Sequence, residues 1–202
     1  MPAKNLPAYA AKLSPSLTQH NGTTYRDLNH NGRMDVYEDP SQPIAARVED
    51  LLSQMTLEEK AGQMFINGAF IRKDGAIEKS SDDPFHPGSG LQQMTELKMT
   101  HFNLWEIPAG AIVAKWHNLL QQAAESTRLG IPVSIASDPR NHFTNNIFSM
   151  AANDFSQWCE TLGFGALDDA ALVRQFAEIA RREYTAVGIR IALHPQIDLS
   201  TE

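Results

Sequence analysis

Two stretches of the chain follow one design: an amphipathic helix, a glycine stop, a short apolar strand, and polar residues with a carboxylate just past the strand. The first runs from Pro108 through Gly130 and the strand Ile131 to Ala136, reaching Asp138. The second runs from Asp168 through Gly188 and Ile189 to Leu193, reaching Asp198. Helices alternating with wholly apolar strands predict a parallel sheet buried on both faces. In such sheets the chemistry collects where strands end and loops begin, so the loops after 136 and 193 are the expected working edge.

Composition narrows the class. With 202 residues and 42% hydrophobic content the chain can bury a real core. Its formal charge of -7 argues against a phosphate backbone as partner, so no nucleic acid is expected. Cys159 is the single cysteine, which excludes an internal disulfide framework and is expected to be a small buried side chain. Residues Met1 to His20 lack an apolar stretch of signal-peptide length, and no segment is long enough to span a bilayer. The expected location is cytoplasmic, or secreted with a leader lost.

Residues 1 to about 24 have no period and are expected to be an irregular arm, the arm and its following loop occupying 1–40 and a barrel domain 41–202. After Asp39-Pro40-Ser41 a helix is predicted with Ile44, Val48, Leu51, Leu52 and Met55 on one face. Thr56 and Glu59 have capping-box spacing for a second helix toward Met64. Phe65 to Gly68 suits a short strand, 71 to 90 an exposed loop, 90 to 97 a small helix, and His101 to Glu106 a strand. The helix opened by Pro108 puts Trp116 in the core beside Ile112, Val113, Leu119, Leu120 and Ala123. Residues 139 to 165 are expected to be irregular, and Asp168-Asp169 to cap a helix whose apolar face is Leu172, Val173, Phe176, Ile179 and Ala180. Three or four strands are countable, against the roughly 250 residues of a closed eight-stranded barrel. A partial (β/α)8 barrel of the α/β class follows as the expected fold.

One loop has its own signature. Asp27, Asn29, Asn31, Arg33, Asp35 and Glu38 occupy positions one, three, five, seven, nine and twelve, with Gly32 at six, as in a calcium-binding loop. Arg33 would give its carbonyl and the others side-chain oxygens. No helical period precedes Asp27, so a lone structural calcium site is the functional reading; an Asx-rich turn needing no metal is the alternative. Asp138, preceding Pro139-Arg140-Asn141-His142, either accepts hydrogen bonds from sugar hydroxyls or pairs with Arg140. His101, His142 and His194 lie near strand ends without partners at metal-ligand spacing, and no nucleophile elbow or phosphate loop is present.

At Arg47-Val48-Glu49-Asp50-Leu51-Leu52-Ser53-Gln54-Met55-Thr56-Leu57-Glu58-Glu59-Lys60-Ala61-Gly62-Gln63-Met64, then Leu129 to Val133, Ser137 to His142 and Pro195 to Leu199, the sequence resembles the N-terminal barrel domain of family 3 glycoside hydrolases. The resemblance covers about residues 25 to 202. It implies retaining hydrolysis of β-glycosides by an Asp nucleophile and a Glu acid about 5 Å apart, with no cofactor in the chemistry. In the family the nucleophile lies on a later strand and the acid in a following domain, so the missing C-terminal part of the same enzyme is the implied partner and this chain the implied fragment. Asp138 maps on to the family position that holds hydroxyls of the terminal sugar. Asn141-His142-Phe143 and Gln157 to Gly163 depart from the family pattern, which bears on the substrate. From another class, a non-catalytic, calcium-stabilised carbohydrate-binding or partner protein is the runner-up.

Overall fold

The computed structural model describes residues 17–77, 89–104, 107–137 and 154–193. A parallel sheet forms from β3 (Ile66–Ala69), β4 (His101–Leu104), β5 (Ser134–Ser137) and β6 (Ile189–Ala192), in chain order β3-β4-β5-β6. Between them lie α3 (Gly90–Glu96), α4 (Gly110–Glu125), α5 (Thr161–Leu167) and α6 (Ala170–Ala186). Strand β5 starts three residues later than its apolar pattern suggests. Pro132 has no N–H to give a ladder, and pairing begins where Ser134 N donates to Thr100 O.

Register divides the sheet into unlike faces. Asn67, Phe102, Ile135 and Ile189 lie in one row, and the last three are buried with Ala69, Leu104 and the α4 residues Val113, Trp116, Leu120 and Ala123. Leu91 and Met94 of α3, and Tyr184 and Val187 at the end of α6, join the same cluster. Trp116 is therefore core, as its spacing predicts, and each such large side chain contributes about 1.5–3 kcal/mol by leaving water. Asn67 meets Gln93 of α3, donating to its Oε1 at 2.8 Å, while Gln93 Nε2 donates to Gly68 O. The opposite face carries Ile66, Gly68, His101, Asn103, Ser134 and Ile191. Ile66 and Ile191 are exposed there, so burial on both faces does not hold for the described residues. His101 Nδ1 and Asn103 Oδ1 on that face are shielded from water but have no partner among the described residues.

Ahead of the sheet, the expected irregular arm contains an antiparallel hairpin, β1 (Leu17–His20) with β2 (Thr23–Arg26). Its turn is Asn21-Gly22, both at positive φ, the chemistry of a two-residue hairpin. Tyr25 is buried and Arg26 pairs with Glu125 at the end of α4. The hairpin escapes a periodicity search because its strands are short and polar.

Next come α1 (Ile44–Gln54) and α2 (Leu57–Gly62). The capping box forms as its spacing requires: Glu59 N donates to Thr56 Oγ1 and Thr56 N to Glu59 Oε2. Arg128, just beyond α4, reaches both the Glu59 carboxylate and Gln54 O. That guanidinium holds the Glu59 carboxyl below its ordinary range. Gly62 lies so close to Lys98 O that a Cβ would stand 2.4 Å from it. Gln63 then donates to Lys98 O and accepts from Thr100 Oγ1. The run from Arg47 to Met64 is thus an anchor that pins two helices to the start of β4 and the end of α4. By contrast, the apolar stripe of α1 is not covered: no α1 residue is buried, and Ile44, Val48 and Leu52 are exposed.

Trp158 and Phe164, ahead of α6, stack with Phe176 of α6, ring centroids 4.9–6.3 Å apart. Phe164 is buried and the other two rings half-buried, while the adjacent Cys159 is exposed, correcting the expectation of a buried thiol. Asp169 caps α6 as predicted, accepting from Ala171 N and Leu172 N.

His117 of α4 supplies a pH-dependent element. Burial, reinforced by the charge of Arg190, pushes its imidazole below the ordinary histidine range of 6.5. The folded state therefore favours the neutral ring. That contribution is complete above pH 6.5 and is lost as pH falls below it toward the depressed folded-state value. We expect the thermal midpoint to fall between pH 7 and 5, and His117→Asn to flatten that slope; an unchanged slope would refute the assignment.

Candidate functional site

The C-terminal edge of the sheet is the first candidate. Its strands end at Ala69, Leu104, Ser137 and Ala192. Leu193 N donates to Ser137 O at 3.1 Å, which carries the β5–β6 pairing to the last residue of β5. Ser137 is fully buried, and its Oγ has no partner among the described residues. Asp138 is the next residue in sequence but lies outside the described residues, as do Arg140, Asn141, His142, His194 and Asp198. His101 is described. It stands at the N-terminal start of β4, the end opposite the strand C-termini.

The second candidate is the loop from Asp27 to Glu38, all of it described. Gly32 turns at φ +80°, as position six requires. The Asp27 carboxylate accepts from Asn31 N and Gly32 N at 3.0 and 2.9 Å. Asn29 Nδ2 and Asn31 Nδ2 both donate to Asp35 Oδ2 at 2.6 Å. Glu38 is 5% exposed, with Oε1 accepting from Leu28 N and Asn29 N and Oε2 from Asp35 N. Arg33 N donates to Asn31 Oδ1, leaving its carbonyl out of that bond.

The donors therefore gather in one loop, each carboxylate turned on to N–H groups. Among the described residues, no three His, Cys, Asp or Glu side chains converge as a metal site. Of the other three donors one is the Arg33 carbonyl, and two are the Asn29 and Asn31 amides, whose nitrogens face Asp35. Turning each Asn by 180° about its last side-chain bond exchanges N for O and brings oxygen toward the loop interior. The set fits a hard cation in its chemistry, and the hydrogen bonds are those of a self-satisfied Asx turn.

What docks this loop is a stripe of α1. Tyr37 N donates to Asp50 Oδ2, Arg47 Nε to Tyr37 O, and Asn29 Nδ2 to Gln54 Oε1. Arg47, Asp50 and Gln54 stand at i, i+3 and i+7, one helix face. That polar stripe, running beside the apolar one, is the sequence signal for this docking. On the other side Tyr37 donates to Leu129 O, and Gly130, at φ +59°, lets Leu28 approach. Burial, then the nearby Glu38 charge, pushes the Tyr37 hydroxyl far above the ordinary tyrosine range.

Comparison with known proteins gives concordant relatives. The chain is 48% identical over 179 residues to "Beta-glucosidase C" of Emericella nidulans, covering 87% of the chain and 28% of that protein. It is 46% identical over 180 residues to "Probable beta-glucosidase C" of Aspergillus oryzae, covering 88% and 28%. To the "Periplasmic beta-glucosidase/beta-xylosidase" of Dickeya chrysanthemi it is 42% identical over 192 residues, covering 90% and 28%. It matches no protein-family profile. The chain spans little more than a quarter of the length of these curated relatives.

Proposed function

The chain belongs to glycoside hydrolase family 3, the β-glucosidase type, and from that premise we propose that it forms part of a (β/α)8 barrel whose strand ends bind the terminal sugar of a β-glycoside for retaining hydrolysis. One observation carries the reading: four parallel strands stand in chain order with their helices on one face, and the third ends one residue before Asp138. Right-handed crossovers between strands taken in order put every helix on the same side. A doubly wound sheet instead reverses its order and is covered on both sides. One-sided winding is how a barrel is built, and the uncovered face with His101 and Asn103 is then the inner one.

In this reading Asp138 accepts hydrogen bonds from hydroxyls of the terminal sugar and orients it. The described strand ends, Ala69, Leu104, Ser137 and Ala192, bring no carboxylate. Nucleophile and acid, which must stand about 5 Å apart, are assigned to polypeptide of the same enzyme outside these 202 residues. The test is turnover of an aryl β-D-glucoside. The complete enzyme carrying these residues turns it over, whereas the 202-residue chain alone does not. Turnover by the chain alone would refute the assignment, and sugar binding by the complete enzyme without turnover would favour the non-catalytic alternative.

A structural calcium ion is assigned to Asp27, Asn29, Asn31, the Arg33 carbonyl, Asp35 and Glu38. The ion would tie the hairpin's exit to α1 and take no part in the chemistry. Asp27 and Asp35 would turn from N–H groups to the cation, which neutralises three clustered carboxylates. A ligand that binds only the folded state at a hundredfold excess over its Kd stabilises by about 2.7 kcal/mol. We expect saturating calcium to raise the thermal midpoint by roughly 5–10 °C, and Asp27→Ala to remove the rise. No rise at millimolar calcium would leave the loop as an Asx turn.

A further inference from the structure

The sequence contains three Asn-Gly pairs, at Asn21-Gly22, Asn31-Gly32 and Asn67-Gly68. In such a pair the glycine nitrogen can attack the asparagine side-chain carbonyl carbon, because no Cβ on the second residue obstructs the approach. Two conditions decide whether folded protein allows it: the side chain must be free to swing, and the glycine N–H must not be held elsewhere.

The pairs meet these conditions very differently. At Asn67-Gly68 both residues lie in β3, paired with β4. The Asn67 amide is held by Gln93, Gly68 N by Asn67 Oδ1, and Gly68 O by Gln93. At Asn31-Gly32 the pair is exposed, but Gly32 N donates to Asp27 Oδ2 at 2.9 Å. The Asn31 side chain is fixed at both ends, by Asp35 and Arg33 N. At Asn21-Gly22 both residues are exposed at the tip of the hairpin, beyond the last ladder pair His20 with Thr23. The Asn21 amide has one exposed contact, Nδ2 to His20 Nε2 at 3.2 Å.

We propose that Asn21-Gly22 is a site of spontaneous succinimide formation and deamidation in the folded protein, while, with no cation in the loop, Asp27 protects the chemically equivalent pair Asn31-Gly32. In the reaction Gly22 N bonds to Asn21 Cγ, the Cγ–Nδ2 bond breaks, and ammonia leaves with the proton that Gly22 N gives up, relayed through water or the His20 ring. Water then opens the five-membered ring at either carbonyl, leaving aspartate or isoaspartate at position 21. Isoaspartate adds a methylene to the backbone, which a two-residue turn cannot absorb without losing the β1–β2 register.

The experiment is incubation of the folded chain in neutral buffer with a chelator, which keeps calcium out of the loop, followed by peptide mapping for a gain of one mass unit and by isoaspartyl methyltransferase labelling. The Asn21 peptide is expected to convert at least about tenfold faster than the Asn31 peptide, since Asn31-Gly32 must first break a charge-assisted hydrogen bond. Asn67 converts most slowly. In urea the three rates converge, because chain neighbours alone then set them. Asp27→Ala in the folded chain raises Asn31 conversion about tenfold, and Asn21→Gly, which keeps the turn, abolishes labelling of the hairpin peptide. Equal rates at Asn21 and Asn31 in folded protein, or an Asn31 rate unmoved by Asp27→Ala, would overturn the proposal. Where Asp27→Ala unfolds the chain, the folded-to-urea rate ratio at Asn31 in the parent decides: a ratio near one refutes protection.

Discussion

Replacing Asp138 by asparagine in the enzyme that carries these residues is expected to cut kcat/KM for an aryl β-D-glucoside by about 10²–10⁴-fold. The magnitude follows from the proposed role. A carboxylate accepting two hydroxyls makes two charge-assisted hydrogen bonds, each contributing about 1.5–3 kcal/mol. An amide of the same shape keeps one acceptor and turns a donor on the second hydroxyl. If the contact is made in both ground and transition states, the loss appears mostly in KM; if it tightens as the ring distorts, it appears in kcat. Folding should be unaffected, with the thermal midpoint within a degree or two of the parent. An unchanged kcat/KM would remove Asp138 from the sugar site and return it to pairing with Arg140.

The largest stability effect is expected at Gly188, where α6 turns into β6. Its φ of +94° is a conformation that side chains rarely adopt. A Cβ there would stand 2.0 Å from His117 Nδ1 and 2.3 Å from Cε1. The ring has no easy retreat. Gln121 Nε2 lies 2.9 Å from its Nε2, and the same amide donates to Val133 O while Gln121 Oε1 accepts from Val133 N. Moving His117 therefore disturbs the strap that leads into β5. Overpacking costs about 1–3 kcal/mol and the backbone strain about 1–2 more, so Gly188→Ala should destabilise by roughly 3 kcal/mol. For a chain of this size that lowers the thermal midpoint by roughly 10 °C. Adding His117→Ala should recover the clash but not the strain, so the double variant lies below additivity. Full additivity would mean that the ring and the glycine do not meet.

Much of this architecture is local in origin. Thr56 with Glu59 and Asp169 with its two amides are caps that a reader can place from spacing, because a capping side chain reaches only two or three residues. Trp116, Val113 and Leu120 declare a buried helix face for the same reason. The hairpin is illegible because its four-residue strands bury only Tyr25, too little for alternation to show, and only Asn21-Gly22 marks the turn. Cys159 reads as buried by type, but Trp158, Phe164 and Phe176 compete for the same corner with far more apolar surface and win it. At the Asp27 to Glu38 loop the donor pattern was open to reading, while the turning of two amides on to Asp35 was not.

From the sequence alone came the order of helices and strands, the parallel sheet, the caps, the loop's donor set and the kinship to β-glucosidases, since each depends on residues close together along the chain or on the pattern itself. Tertiary structure decided which face of the sheet the helices cover, that the Arg47 to Met64 run is an anchor, and that three identical Asn-Gly pairs live in unlike surroundings. Those outcomes depend on contacts such as Glu59 with Arg128 and Gly62 with Lys98, between residues dozens of positions apart. Spacing along a chain does not encode them.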